Sequence, residues 1–75
     1  MDYKDYIVSS PDVMLGKPVI KGTRITVGFI LKKLSEGASV ADLISAYPGL
    51  SQLSVNAVLA YASDVISNES VIAAA

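Results

Sequence analysis

The chain has 75 residues, of which 52% are hydrophobic, with a formal net charge of −1, no cysteine and no histidine. That length holds one domain, and the missing residue types exclude disulfide staples and zinc sites, so no cofactor or metal is expected. All six basic residues (Lys4, Lys17, Lys21, Arg24, Lys32, Lys33) lie in residues 1–33, which carry +3, whereas residues 34–75 carry −4 and no base, a split that constrains any reading as a nucleic-acid binder.

The first six residues, Met1-Asp2-Tyr3-Lys4-Asp5-Tyr6, are charged and lack the apolar stretch of a secretory signal. No apolar run approaches the ~20 residues of a membrane helix, so a cytoplasmic protein with no membrane contact is expected. Residues 6–27 read as a β arm with turns at Ser10-Pro11-Asp12 and Lys21-Gly22. Within it, Gly16 and Gly22 supply backbone angles that other residues resist, and Pro18 fixes the entry to Val19-Ile20. Val19-Ile20 and Ile25-Thr26-Val27 are β-branched, so the spacing predicts two short strands joined at Lys21-Gly22, with Thr23 and Arg24 at the exit of the turn.

Helices are expected to follow. Val27, Ile30, Leu31 and Leu34 share one helical face, and Gly37 is placed to end that helix. Ser39 with Asp42 predicts a capped start to a second helix, whose apolar face is Val40, Leu43, Ile44 and Tyr47. Pro48 and Gly49 stop it. Ser51 caps a third helix running to about Ser67, with an expected inner face of Val55, Val58, Leu59, Ala62, Val65 and Ile66. The fold class is therefore mainly α: a single domain over 1–68, with a β arm at 6–27, three helices at 27–67 and a frayed tail at 69–75. Three short helices with tight breaks have the rhythm of a helix-turn-helix domain. A mean hydropathy of +0.51 exceeds what one small core absorbs, which implies a homodimer.

Lys4-Asp5-Tyr6-Ile7, Pro11-Asp12, the block Gly16-Lys17-Pro18-Val19-Ile20-Lys21-Gly22-Thr23-Arg24-Ile25, the Leu34/Gly37 region, Tyr47-Pro48 with Leu50-Ser51, and Ala60-Tyr61-Ala62 together resemble the DUF433 family of small bacterial and archaeal proteins. The resemblance covers roughly residues 3–66. It implies a homeodomain-like helix-turn-helix with a β-rich N-terminal arm. It also implies an antitoxin of a toxin–antitoxin pair, whose partner is a PIN-like ribonuclease toxin and which represses its own operon by binding DNA.

Each group of residues carries two readings. In a helix-turn-helix the third helix enters the major groove, so Ser51, Gln52 and Asn56 are the base or phosphate contacts expected there, since Gln and Asn pair bidentately with adenine. The plainer reading is that Ser51 is a cap and that Gln52 and Asn56 are solvated. The third helix has no cation, so DNA affinity would have to come from Lys17, Lys21, Lys32 and Lys33. Lys17 and Lys21 are equally an ordinary solvated turn, and Lys32 and Lys33 suit the negative end of the first helix. Gly16, Pro18, Gly22, Thr23 and Arg24 are expected to shape the arm, with Arg24 pairing internally to Asp12 or Asp42. Val19, Ile20, Ile25, Val27 and Phe29 are the expected dimer or toxin contacts, the arms of two copies pairing through the Val19–Val27 strands. Phe29 lies off the face set by Ile30 and Leu34. The apolar end, Val71-Ile72-Ala73-Ala74-Ala75, is expected to be a frayed helix end, or to fold onto a partner.

No catalytic residues are expected. The acids are scattered, Ser9, Ser10 and Ser51 have no base partner, and Gly16-Lys17-Pro18 lacks P-loop spacing. Two alternatives to the antitoxin remain: a stand-alone DNA-binding regulator and a purely structural dimerisation module.

Overall fold

In the computed structural model, which describes residues 1–68, a 3-10 turn at Tyr3–Asp5 leads into strand β1 (Ile7–Val8), followed by β2 (Val19–Ile20) and helices α1 (Val27–Ser35), α2 (Val40–Ala46) and α3 (Gln52–Ser67). The expected tail at 69–75 lies outside the described residues. The fold is mainly α, three helices with a two-stranded antiparallel sheet at the N-terminal side. β1 pairs with β2 in the register Ile7↔Ile20 and Val8↔Val19.

Local chemistry sets the helix limits. Thr26 accepts the Phe29 N–H at 3.0 Å and so caps α1. At the other end Gly37, at φ 99°, carries the chain through a left-handed turn. The Gly37 N–H reaches Leu34 O and the Ala38 N–H reaches Lys33 O, the paired bonds that satisfy the last carbonyls of a helix. Ser39 and Asp42 form a reciprocal capping box at α2. Tyr47, before Pro48, adopts the extended backbone that a following proline imposes, and α2 stops there. Ser51 and Ser54 close a second reciprocal box at α3.

The core gathers Ile7 and Ile20 from the sheet, Val27 and Ile30 from α1, Leu43 from α2, Leu50 from the connecting turn, and Val55, Ala57 and Val58 from α3. Leu31, Leu34, Val40, Ile44 and Tyr47 pack on it at half-burial, as their helical spacing predicts.

Three expectations need correction. First, Ile25-Thr26-Val27 is not a strand. Thr26 is committed to capping α1 and Val27 is its first residue, so only a single Val19–Thr26 bridge forms, and the strand partner of Val19-Ile20 is Ile7-Val8. Second, the inner face of α3 is not the expected stripe. Val55 and Val58 are buried, but Ser54 and Ala57 join them, whereas Leu59, Val65 and Ile66 are exposed. The fully buried positions lie in the first half of α3, and the second half meets the N-terminal turn through Tyr61 and Asp64. Third, Val19, Ile20 and Val27 cannot be partner contacts by their side chains, which are buried inside the protomer. The backbone of β2 is also engaged on both sides, by β1 and by the Ile20 N–H to Ile25 O and Val27 N–H to Pro18 O bonds, so arms cannot pair through Val19–Val27 as expected.

Candidate functional site

The arm carries the most unusual local backbone. Met14, Leu15 and Gly16 follow one another at φ 49°, 58° and 82°, all left-handed, and the turn is closed by Gly16 N–H to Val13 O and Lys17 N–H to Met14 O bonds. Left-handed angles are unfavourable for side chains larger than glycine's. The turn holds Leu15 out at 92% exposure.

The next turn is fixed by hydrogen bonds. Gly22 sits at φ 80°. The Thr23 hydroxyl donates to Ile20 O at 2.8 Å and accepts the Ile25 N–H at 3.0 Å. Thr23 also meets the α2–α3 connection: a Cβ built on Gly49 would stand 2.8 Å from Thr23 Cγ2. The Gly22-Thr23 turn and the Tyr47-Pro48-Gly49 turn therefore pack closely, and Arg24 follows directly on this junction.

Arg24 does not form the expected pair with Asp12 or Asp42. The Asp42 carboxylate is taken by the Ser39 N–H at 3.1 Å, and the one ion pair among the described residues is Lys33–Glu36 at 3.8 Å. Arg24 is exposed and borders two apolar clefts. One, of about 400 Å³, is lined by Val8, Ser10, Val13, Val19 and Thr23. The other, of about 250 Å³, is lined by Met14, Ile25, Thr26, Phe29 and Tyr47. Phe29 and Tyr47 meet edge to face at 5.3 Å, and Lys33 Nζ lies 5.4 Å from the Phe29 ring centre. Phe29 and Ile25 thus remain accessible on this face, whereas the strand residues Val19 and Ile20 are buried.

The expected DNA-facing residues lie elsewhere. Ser51 is occupied as the α3 cap. Gln52 Nε2 donates to Asn56 Oδ1 at 3.0 Å, and both side chains are exposed. Lys32 is exposed in the last turn of α1, and Lys33 is drawn to Glu36 and Phe29. Lys17 and Lys21 are exposed on the arm, Lys21 held by its backbone N–H to Tyr6 O at 2.7 Å. Gly16 and Gly22 take left-handed angles in the arm turns, and Pro18 O accepts the Val27 N–H. No group of three or more Asp, Glu, His or Cys side chains converges to hold a metal ion among the described residues. Nor is any described helix long and apolar enough to cross a membrane.

Two titrating groups stand out. The backbone N–H of Ser39, then its hydroxyl network, holds the Asp42 carboxyl below its ordinary 3.8. The hydrogen bond from Tyr3 to Asp64, at 2.7 Å, together with partial desolvation, raises the Tyr3 hydroxyl above 10.0. Tyr3 also meets Tyr61 edge to face at 5.4 Å, which fastens the N-terminal turn to α3. Sequence reasoning missed the exposed Leu15, the placement of Arg24 between two clefts, and this Tyr3 contact. The run Met14-Leu15-Gly16 held one signal, a large apolar pair before a glycine.

Comparison with known proteins gives three matches. A family model described as "Protein of unknown function (DUF433)" matches residues 7–62. A protein of Sinorhizobium fredii, described as the uncharacterized protein y4eO, is 36% identical over 47 residues, covering 63% of this chain and 21% of the relative. The crystal structure of a DUF433 member protein from Anabaena variabilis superposes with a TM-score of 0.79 at 28% identity, over 85% of this chain and 63% of the other. The chain thus spans about a fifth of the first relative and under two thirds of the second.

Proposed function

The chain belongs to the DUF433 family, and on that footing we propose that it is an antitoxin-type binding protein that neutralises a PIN-like ribonuclease toxin by forming a stoichiometric complex. One observation supports the reading: Arg24, without a carboxylate partner among the described residues, and Phe29 line one apolar cleft with Met14, and the neighbouring Leu15 is exposed. Aromatic and arginine side chains around apolar pockets are the usual anchors of protein interfaces. The outer face of α3 offers no cation for phosphate. The protein acts in this reading by covering its partner, with no chemistry of its own.

The test is co-purification with the product of a neighbouring ribonuclease-like gene, followed by an RNA cleavage assay. An equimolar amount of this protein is expected to suppress cleavage, and Arg24→Glu is expected to relieve the suppression. Absence of a complex, with cleavage unaffected, overturns the reading. A second reading, binding to its own operator DNA, draws support from the exposed Gln52–Asn56 pair on the helix that a helix-turn-helix inserts in the major groove. Anisotropy on upstream DNA, with and without the toxin, tests it.

A further inference from the structure

Arg24 is exposed, forms no ion pair among the described residues, and is the one residue that lines both apolar clefts. On one side of it are Val8, Val13 and Val19, in the cleft of about 400 Å³. On the other are Met14, Ile25 and Phe29, in the cleft of about 250 Å³. No Asp or Glu lines either cleft. Lys33 also reaches this face, its Nζ 5.4 Å from the Phe29 ring centre, but it shares its charge with Glu36 at 3.8 Å. Arg24 is therefore a cation left without a counter-ion among the described residues, set between two apolar hollows.

That arrangement restricts what fills it. A free amphipathic acid carries its charge at one end, so it would occupy one cleft and leave the other empty. A single-stranded nucleic acid needs a basic track and aromatic faces on which its bases stack. The first cleft has no aromatic residue, and Phe29 in the second is already met by Tyr47 and Lys33. An extended peptide places side chains i, i+2 and i+4 on one face. It can therefore set a carboxylate on Arg24 and an apolar side chain in the cleft on either side. Charge agrees: residues 1–33 carry +3, and a basic surface draws an acidic segment.

Resting on the reading of this face as a partner surface, we propose that Arg24 and its two clefts bind an extended acidic segment of the partner protein. That segment carries one Asp or Glu between two large aliphatic side chains at alternate positions. The guanidinium offers two parallel N–H donors to the carboxylate. The filled clefts exclude water around the pair, which strengthens it.

NMR titration of the labelled full chain with two synthetic peptides tests it: acetyl-Ser-Leu-Ser-Glu-Ser-Leu-Ser-amide, and the same peptide with Gln in place of Glu. A short free peptide loses conformational freedom on binding, so a Kd of about 1 mM is expected. The acidic peptide is expected to shift the methyl signals of Val8, Val13 and Ile25 together, and the Gln peptide to bind about tenfold more weakly. Arg24→Ala is expected to bind the two peptides equally, with its spectrum reporting a folded chain. Lys17→Glu, at a position that lines neither cleft, is expected to keep the tenfold preference. The proposal is overturned by no shift at about 10 mM peptide, by equal binding of the two peptides to the unaltered chain, by a preference that survives Arg24→Ala, or by one that Lys17→Glu abolishes. Capture of the ribonuclease without peptide binding overturns the segment and leaves the toxin reading standing. Binding of the acidic peptide through Arg24 without capture of the ribonuclease does the reverse.

Discussion

At the scale of single residues, two positions are held where the backbone or the neighbouring space resists them. Leu15 sits at φ 58° with its side chain in solvent, so it is strained without any intramolecular burial to offset the strain. A left-handed conformation costs a leucine about 1–2 kcal/mol, and the greater unfolded-state freedom of glycine removes about 0.5–1 kcal/mol of the relief. Leu15→Gly is therefore expected to stabilise the fold by up to about 1.5 kcal/mol, measured by urea unfolding, while weakening capture of the ribonuclease partner. A variant that is both less stable and fully competent for binding contradicts the role given to Leu15. Gly49 presents the opposite case, ordinary backbone but no room. A Cβ there would lie 2.8 Å from Thr23 Cγ2, so Gly49→Ala is expected to destabilise by about 1–3 kcal/mol. Thr23→Ser removes that methyl and keeps the hydroxyl bonds to Ile20 and Ile25. In a double-mutant cycle the pair should recover at least about 0.5 kcal/mol of the loss, and strict additivity would show that the contact is not what excludes the alanine.

At the scale of elements, what the sequence displays and what it hides divide by range. The caps at Ser39 and Ser51 and the glycine stop at Gly37 are legible because each involves residues three or four apart, and all form. The α2 box also sets a pH response. Asp42 has its folded pKa lowered by the Ser39 N–H, so its contribution is present above the ordinary 3.8 and is lost as pH falls through the lower folded value. Asp42→Asn should flatten that acid limb of a stability profile. Tyr3 works in the opposite direction: its raised folded pKa makes the contact with Asp64 fully available below 10.0 and lost as pH rises through the folded value. Alkaline titration followed by tyrosine absorbance should show a late phase from Tyr3, which Tyr3→Phe removes. The pairing of β1 with β2 and the docking of Tyr3 on α3 are not legible, since β-branched runs specify strands but not which strand faces which, and an aromatic near a chain end carries no signature of its distant partner. The buried face of α3 escapes the sequence for a related reason. Apolar periodicity says which side of a helix is hydrophobic, not how far along its length a core extends, and here it stops at Val58.

At the scale of the whole molecule, the split of charge is visible from composition, but its placement in space decides what it does. The arm lysines are legible as exposed turn residues, whereas of the two carboxylates that the sequence offers Arg24, Asp42 is already used by the capping box of α2 and Asp12 forms no ion pair with it. The basic residues end at Lys33, so α3 can bring hydrogen-bonding groups to DNA but no charge to neutralise phosphates. Lys33 is itself partly engaged by Glu36 and by the Phe29 ring, which leaves Lys17, Lys21 and Lys32 as the freer cations among the candidate contacts. Each phosphate contact contributes a slope of about −0.9 to the logarithmic salt dependence of DNA affinity, so three contacts per chain give about −2.7. The protein alone is therefore expected to bind upstream DNA weakly and with a shallow slope, measured by fluorescence anisotropy across a salt series. Lys17→Glu with Lys21→Glu should remove about two thirds of that slope while leaving capture of the ribonuclease unchanged, because the contacts assigned to the partner are Leu15, Arg24 and the Phe29 cleft. Tight, sequence-dependent binding with a much steeper slope would reverse the order of the two readings and make operator recognition the protein's main activity. Loss of ribonuclease capture in the lysine variant would instead extend the partner surface across the arm to its charged turns.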